Sequence, residues 1–283
     1  MRPDLPIGIF DSGVGGLTVY RALHERLPNE HFVYLGDTAR VPYGTKSLAT
    51  VERYAVENAR FLEAHGIKLL VVACNTASAL ALPAIRRAID VEVIGVIDPG
   101  AEAAVTAANG QLIVVIATEA TVQSGAYSRA IKKIDASIEV IERACPLFVP
   151  LAEEGWAASD VASDVAAHYL SDLARLETGA LVLGCTHYPI LQGVISKTMG
   201  TSVTLIDSGQ AAATQVERVL QRERLAREPG VQPEERELCD DLDHFYVTDA
   251  ALRFSKVAER FLGAAPSVLE AVEIWGHDEL RTY

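Results

Sequence analysis

The chain is short of several things, and each shortage closes off a class of protein. Cysteine occurs only four times in 283 residues, at positions 74, 145, 185 and 239. Four thiols so scattered do not make a disulfide framework, which implies a reduced, cytoplasmic compartment. There is no Cys-x-x-Cys and no His-x-x-x-His pair, so the zinc site that Cys74, Cys185 and His187 could build in principle has no support from spacing. No apolar run approaches the roughly 18 residues of a membrane span. The N-terminal Met1-Arg2-Pro3-Asp4-Leu5-Pro6 leads into a strand without a signal-peptide core. Positive charge is scarce as well. With 25 Lys and Arg against 38 Asp and Glu, the net charge of −13 has the wrong sign for a broad nucleic-acid or acidic-membrane footprint. Neither nucleic acid nor membrane is therefore expected as a partner.

What is present is an ordinary globular composition, 49% apolar and 22% charged, long enough for one large or two modest domains. Short aliphatic runs alternate with amphipathic stretches. Strands are expected at Ile7–Phe10, Phe32–Leu35, Leu69–Ala73, Val93–Ile97, Leu112–Ala117, Ile138–Ile141, Ala180–Gly184 and Val203–Ile206. Weaker ones follow at Phe245–Thr248 and Ala271–Trp275. Helical patterns occupy Ser47–Ala64, Ala77–Ile89, Ser159–Leu176 and Gln210–Arg222. Strands separated by helices of this length imply βαβ crossovers and parallel sheets, hence an α/β fold. The charge-rich stretch Arg222–Asp243 reads as a solvated loop or frayed helix end.

Two stretches organise the rest. The run Leu69-Leu70-Val71-Val72-Ala73 ends in Cys74, and Asn75, Thr76 and Ser78 then offer caps for a helix. The run Ala180-Leu181-Val182-Leu183-Gly184 ends in Cys185, followed by Thr186, His187, Tyr188 and Pro189. In an open parallel sheet the end of such a strand is the mouth of the ligand crevice. A second echo links Ile9-Phe10-Asp11-Ser12-Gly13 with Leu205-Ile206-Asp207-Ser208-Gly209, and more loosely with Val96-Ile97-Asp98-Pro99-Gly100. Together these predict two similar α/β domains, each with a central, mainly parallel sheet flanked by helices, and an active site in the cleft between them. The first domain would hold residues 1–97 and 208–283, and the second 98–207.

The glycine-rich turn Asp11-Ser12-Gly13-Val14-Gly15-Gly16 lacks the lysine of a P-loop, and Asp11 would repel a nucleotide phosphate. It is either a bare tight turn or a carboxylate-binding one, and a zwitterion with an ammonium group would make Asp11 a partner. The loop from Gly36-Asp37 to Tyr43-Gly44 reads either as a capped turn or as a substrate-facing loop. Cys145 and Cys239 read as small buried hydrophobes. Cys74 and Cys185 sit at strand-to-helix junctions, where amide dipoles favour a thiolate. A thiol protease would leave one of them unexplained. Two symmetric thiols fit two acid/base groups on opposite faces of one carbon.

The segments Phe10–Gly16, Gly36–Gly44, Ala73–Ser78, Ser124–Tyr127, Ala144–Gly155 and Gly184–Pro189 resemble those of glutamate racemases, in the same order and over nearly the whole chain. The resemblance implies a cofactor-independent racemase that supplies D-glutamate for peptidoglycan in the bacterial cytoplasm and forms homodimers. It implies Cys74 and Cys185 as the two bases, Asp11 assisting the first, and Glu153 and His187 assisting the second, with Asp37 also among the catalytic group. Substrate contacts would come from Ser12, Pro42, Tyr43, Gly44, Asn75, Thr76 and Thr186, with Thr118 and Thr121, and Asp11 and His187 would touch substrate as well. Asp98 stands where the family often has Glu, and Val115-Ile116-Ala117-Thr118 lacks the family's commoner glycine.

Removing the α-proton of an amino acid leaves a carbanion beside a carboxylate, so the site must bind negative charge and exclude water. Hydroxyls, amides and Asn75 supply donors for that. No lysine lies in these segments to hold pyridoxal phosphate, so no cofactor and no metal are expected. An aspartate or hydantoin racemase would keep both thiols but alter the side-chain pocket. A protein that acts by binding a partner such as DNA gyrase would need neither thiol.

Overall fold

A computed structural model describes residues 2–228 and 236–274. Its strands are β1 (Ile7–Asp11), β2 (Phe32–Gly36), β3 (Leu69–Val72), β4 (Glu92–Gly95), β5 (Leu112–Ala117), β6 (Val140–Ala144), β7 (Thr178–Gly184), β8 (Thr204–Asp207), β9 (His244–Val247) and β10 (Val268–Ala271). They form a six-stranded sheet of order β10-β9-β2-β1-β3-β4 and a four-stranded sheet of order β6-β5-β7-β8. Every pairing is parallel. The inner strands β1, β2, β3 and β7 are buried along their whole length, which is why they read as unbroken aliphatic runs. The edge strands β6, β8 and β10 carry Glu142, Arg143, Thr204 and Glu270 because one side of each meets solvent.

Sheet order fixes where a ligand can sit. In the first sheet the chain leaves β1 for β2 on one side and for β3 on the other. In the second it leaves β5 for β6 on one side and reaches β7 on the other. The crevices at the carboxyl ends of β1/β3 and β5/β7 are therefore topological switch points. Cys74 follows β3 and Cys185 follows β7, so each thiol stands at one of them.

Several boundaries differ from expectation for local reasons. The helix expected over Ala77–Ile89 is two, Asn75–Leu80 and Leu82–Ala88, because Pro83 cannot donate back into the preceding turn. The one expected over Ser159–Leu176 ends at Leu170, and a single 3₁₀ turn follows at Leu173–Arg175. β4 stops at Gly95 and Ile97 already opens the helix Ile97–Ala108. β6 lies two to three residues later than expected and β10 three to four earlier. Trp275 lies outside the described residues. Within the charge-rich stretch, helix Ser208–Glu223 runs one residue further than expected. Asp243 is not solvated at all: fully buried, it accepts from the Tyr20 hydroxyl at 2.8 Å and the Phe32 amide at 2.9 Å.

The Asp-Ser-Gly echo has a different structural meaning from the Cys-ended one. Asp207 ends the edge strand β8 and caps its own helix, accepting from the Gly209 amide at 2.7 Å and the Gln210 amide at 3.3 Å. Its counterpart is the Asp98 segment, which follows the other edge strand β4. At both places the chain leaves one sheet for the other, and the helices that begin there, Ile97–Ala108 and Ser208–Glu223, pack together. Asp11, by contrast, ends the central strand β1, where the second sheet has Thr118 after β5.

Candidate active site

The two switch points open into one cavity of about 260 Å³. Ser12, Pro42, Tyr43, Gly44, Cys74, Asn75, Thr76, Thr118, Glu153, Cys185, Thr186 and His187 all line it. The turn after β1 must come very close to the second lobe. A Cβ on Gly15 would fall 2.2 Å from Thr186 Oγ1 and 2.5 Å from the His187 ring, so only glycine fits. Thr18 crosses the same gap, its hydroxyl donating to the Thr186 carbonyl at 2.8 Å.

Cys74 is the residue before helix Asn75–Leu80, and its sulfur accepts from the Ala77 amide at 3.5 Å. Burial first and Asp11 second push this thiol up to about 12, against the opposing bonds from Ser12 and the Ala77 amide. Asp11 itself is buried and does not line the cavity. One carboxylate oxygen accepts from the Gly13 amide at 2.8 Å, and the other has no hydrogen-bond partner among the described residues. Burial raises the Asp11 pKa, with the charge of His187 opposing.

On the other side the arrangement is a relay. His187 Nδ1 lies 3.8 Å from Cys185 Sγ, and Nε2 lies 3.1 Å from Glu153 Oε1. Burial alone would lower the His187 pKa. The bonds to Cys185 and Glu153, with their charges, outweigh it and lift His187 to about 10. Reciprocally, the bond from His187 lowers Glu153, with Coulombic help from His187 and Arg253. His187, so raised, stands as a cation 3.8 Å from the Cys185 sulfur.

Hydroxyl and amide groups stand on part of the remaining wall. Thr76, Thr118 and Thr121 form a hydroxyl triangle with edges of 2.9, 3.3 and 3.0 Å. Thr121 is fully buried behind the other two rather than on the cavity wall. Asn75 donates to the Tyr127 hydroxyl at 2.9 Å and the Ser208 hydroxyl at 3.2 Å, and its Oδ1 has no hydrogen-bond partner among the described residues. Asp37 also lies behind the wall. It accepts from the Tyr43 hydroxyl, from Arg40 Nε at 2.7 Å, from Asn58 at 3.3 Å and from Thr248 at 3.0 Å. It holds Tyr43, and Tyr43 lines the cavity. Cys145 and Cys239 are buried away from it.

Val41, Thr45, Glu119, Pro146, Val149 and Pro150 also line the cavity, and sequence reasoning passed over them. Val149 and Pro150 look like core residues of a helix start, and no spacing marks them out. Glu119 had a signal, since it immediately follows Thr118. No Lys or Arg is among the lining residues, and no cluster of three or more metal-ligating side chains occurs among the described residues.

Two thiols lining one cavity, one buried beside a carboxylate and one against an imidazolium, can give and take a proton at a single bound molecule. That is the equipment of a two-base isomerase. The chain belongs to the Asp/Glu/Hydantoin racemase family, which it matches over residues 7–216. It is 50% identical over 257 residues to a glutamate racemase of Geobacter metallireducens, covering 91% of this chain and 92% of that one. Among solved structures, glutamate racemase from Thermus thermophilus in complex with β-chloro-D-alanine is 45% identical with a TM-score of 0.84, over 96% of this chain and 98% of that chain. The Francisella tularensis glutamate racemase, in complex with D-glutamate, is 39% identical with a TM-score of 0.86, again over 96% and 98%. No helix among the described residues is long and apolar enough to cross a membrane.

Proposed function

We propose that this chain is a glutamate racemase that interconverts L- and D-glutamate without a cofactor, with Cys74 and Cys185 as its two acid/base groups. The observation that carries this reading is that both thiols line one cavity whose other walls offer hydroxyl and amide donors. From L to D, the Cys185 thiolate takes the α-proton and the negative charge passes to the α-carbon and its carboxylate. The Cys74 thiol then delivers a proton to the opposite face and is left as the thiolate. From D to L the roles exchange. His187 and Glu153 position and stabilise the Cys185 thiolate. Asp11 keeps Cys74 protonated until it is needed and makes its thiolate a strong base.

Ser12, Tyr43, Gly44, Asn75, Thr76, Thr118 and Thr186 bind the two carboxylates and the ammonium group, and Pro42 shapes the loop. Thr121 and Asp37 hold Thr118 and Tyr43 from behind. The two lobes are residues 1–97 with 208–283, and residues 98–207. The protein works in the cytoplasm as a homodimer and supplies D-glutamate for peptidoglycan. Circular dichroism of L-glutamate incubated with the purified protein and no added cofactor tests the reading. The signal should decay to zero at equal enantiomer concentrations, and a constant signal refutes it.

A further inference from the structure

Glu153 is held from its far side by an element that the two-thiol chemistry does not use. The helix Ala251–Leu262 packs with the first lobe, yet three of its side chains reach the second. Arg253 Nη2 donates to Glu153 Oε2 at 3.2 Å and lies 3.7 Å from Glu154. Arg260, two turns further on, donates to the Glu153 backbone carbonyl. Phe261 sets its ring edge-on to His187, with centroids 6.1 Å apart and planes at 88°. The second lobe makes room for this approach. Gly155 has φ +77°, and a Cβ there would fall 3.0 Å from the Arg260 side chain. Residues seven apart share a helix face, so one face of one helix delivers both arginines to one glutamate.

Glu153 divides its two oxygens accordingly: Oε1 faces His187 and Oε2 faces Arg253. We infer that Arg253 and Arg260 form a latch between the lobes that orients Glu153, and through it fixes His187 against Cys185. They are positioning residues, and the inference rests on the racemase reading for its catalytic consequence only. Arg253 is 65% exposed, so the ion pair contributes little to stability. Its effect lies in orientation. The groups around His187 are Cys185 on its own loop, Asp11 at the end of β1, Glu153 and Glu154 at the end of helix Phe148–Glu153, and the two arginines. Removing a nearby cation by itself raises the proton affinity of His187. Releasing Glu153 to turn toward solvent lowers it. The sign therefore separates a latch from a mere neighbouring charge.

The experiment follows His187 by NMR titration of its ring in the wild type, Arg253→Met, Arg253→Met/Arg260→Met and Arg253→Lys, alongside racemisation kinetics against pH. We expect the His187 titration to move down in Arg253→Met and further in the double variant, with Arg253→Lys between Arg253→Met and wild type. kcat/KM should fall about tenfold, while Tm moves by no more than about 3 °C. An upward or absent movement of the His187 titration overturns the latch. So does a loss of activity that follows Tm with an unchanged pH profile. Absence of racemisation in the wild type defeats the racemase reading but leaves the titration test intact.

Discussion

The two thiols occupy equivalent places in two similar sheets, yet their surroundings are opposite in charge. Behind Cys74 stands Asp11, a buried carboxylate with one oxygen unpartnered among the described residues. Beside Cys185 stands His187, whose pKa is lifted to about 10 by its bonds to Cys185 and Glu153. The first environment holds the proton on Cys74, and the second sets a cation beside Cys185. A site that must give a proton on one face while taking one on the other gains from such inequality, since the two sulfurs cannot usefully share one protonation state. Symmetry of the fold places the two thiols, and the groups packed behind them make their environments unequal.

The harshest way to break the comparison is to remove either sulfur. Cys74→Ala and Cys185→Ala should each abolish racemisation, because each proton transfer needs its own group. If only one sulfur mattered, a single base would be swinging between faces. In D2O the D-glutamate formed from L-glutamate by the intact protein should carry deuterium from its first appearance, with the remaining L-glutamate still protiated. Mass spectrometry of the separated enantiomers reads this.

A second test probes the flanking groups. Asp11→Asn, Glu153→Gln and His187→Asn should each lower kcat/KM by about 10²-fold. Enantiomers have equal free energy in water, so the loss must be the same in both directions. Sidedness appears only in kcat, KM and their pH profiles. Asp11→Asn should mainly disturb D-to-L, where Cys74 is the acceptor, and the other two L-to-D. Indistinguishable profiles for Asp11→Asn and Glu153→Gln would dissolve the one-acid-per-thiol assignment.

A smaller effect concerns Cys74 alone. In a Cys185→Ala background, alkylation of Cys74 should be slow at neutral pH and accelerate as pH climbs toward about 12. Asp11→Asn removes one upward push on that thiol, so alkylation at a given pH should quicken. Peptide mass mapping of the labelled site gives the rate, and no change on removing Asp11 would mean that burial alone governs the thiol.

The smallest effect is on stability. The His187 pKa rises from 6.5 in the unfolded chain to about 10 when folded. Its contribution is then full below about pH 6.5 and disappears as pH rises through about 10. The Tm gap between wild type and His187→Asn should narrow over that window. A gap that widens with pH would contradict a protonated His187.

The sequence by itself determined the strand ends. Unalternating aliphatic runs finish at Ala73 and Gly184, and the buried strands β3 and β7 are found there because full burial on both faces demands such runs. Polar residues directly after each run put Cys74 at the start of helix Asn75–Leu80 and Cys185 in a turn just before the 3₁₀ turn Tyr188–Leu191. The same reasoning failed where the signal was not local. The echo around Asp11 and Asp207 looked like one device used twice, but Asp11 ends a central strand and Asp207 an edge strand. Five-residue likeness carries no information on strand order. Asp37 and Asp11 looked alike as acids past strand ends, and only packing put Asp11 beside a thiol and Asp37 under Tyr43. Val149 and Pro150 reached the cavity wall through the approach of the two lobes, which no periodicity encodes. Above all, the difference between the two thiols was settled in three dimensions. Glu153, His187 and Arg253 lie far apart along the chain, and they act together only because folding sets His187 3.1 Å from one oxygen of Glu153 and Arg253 3.2 Å from the other.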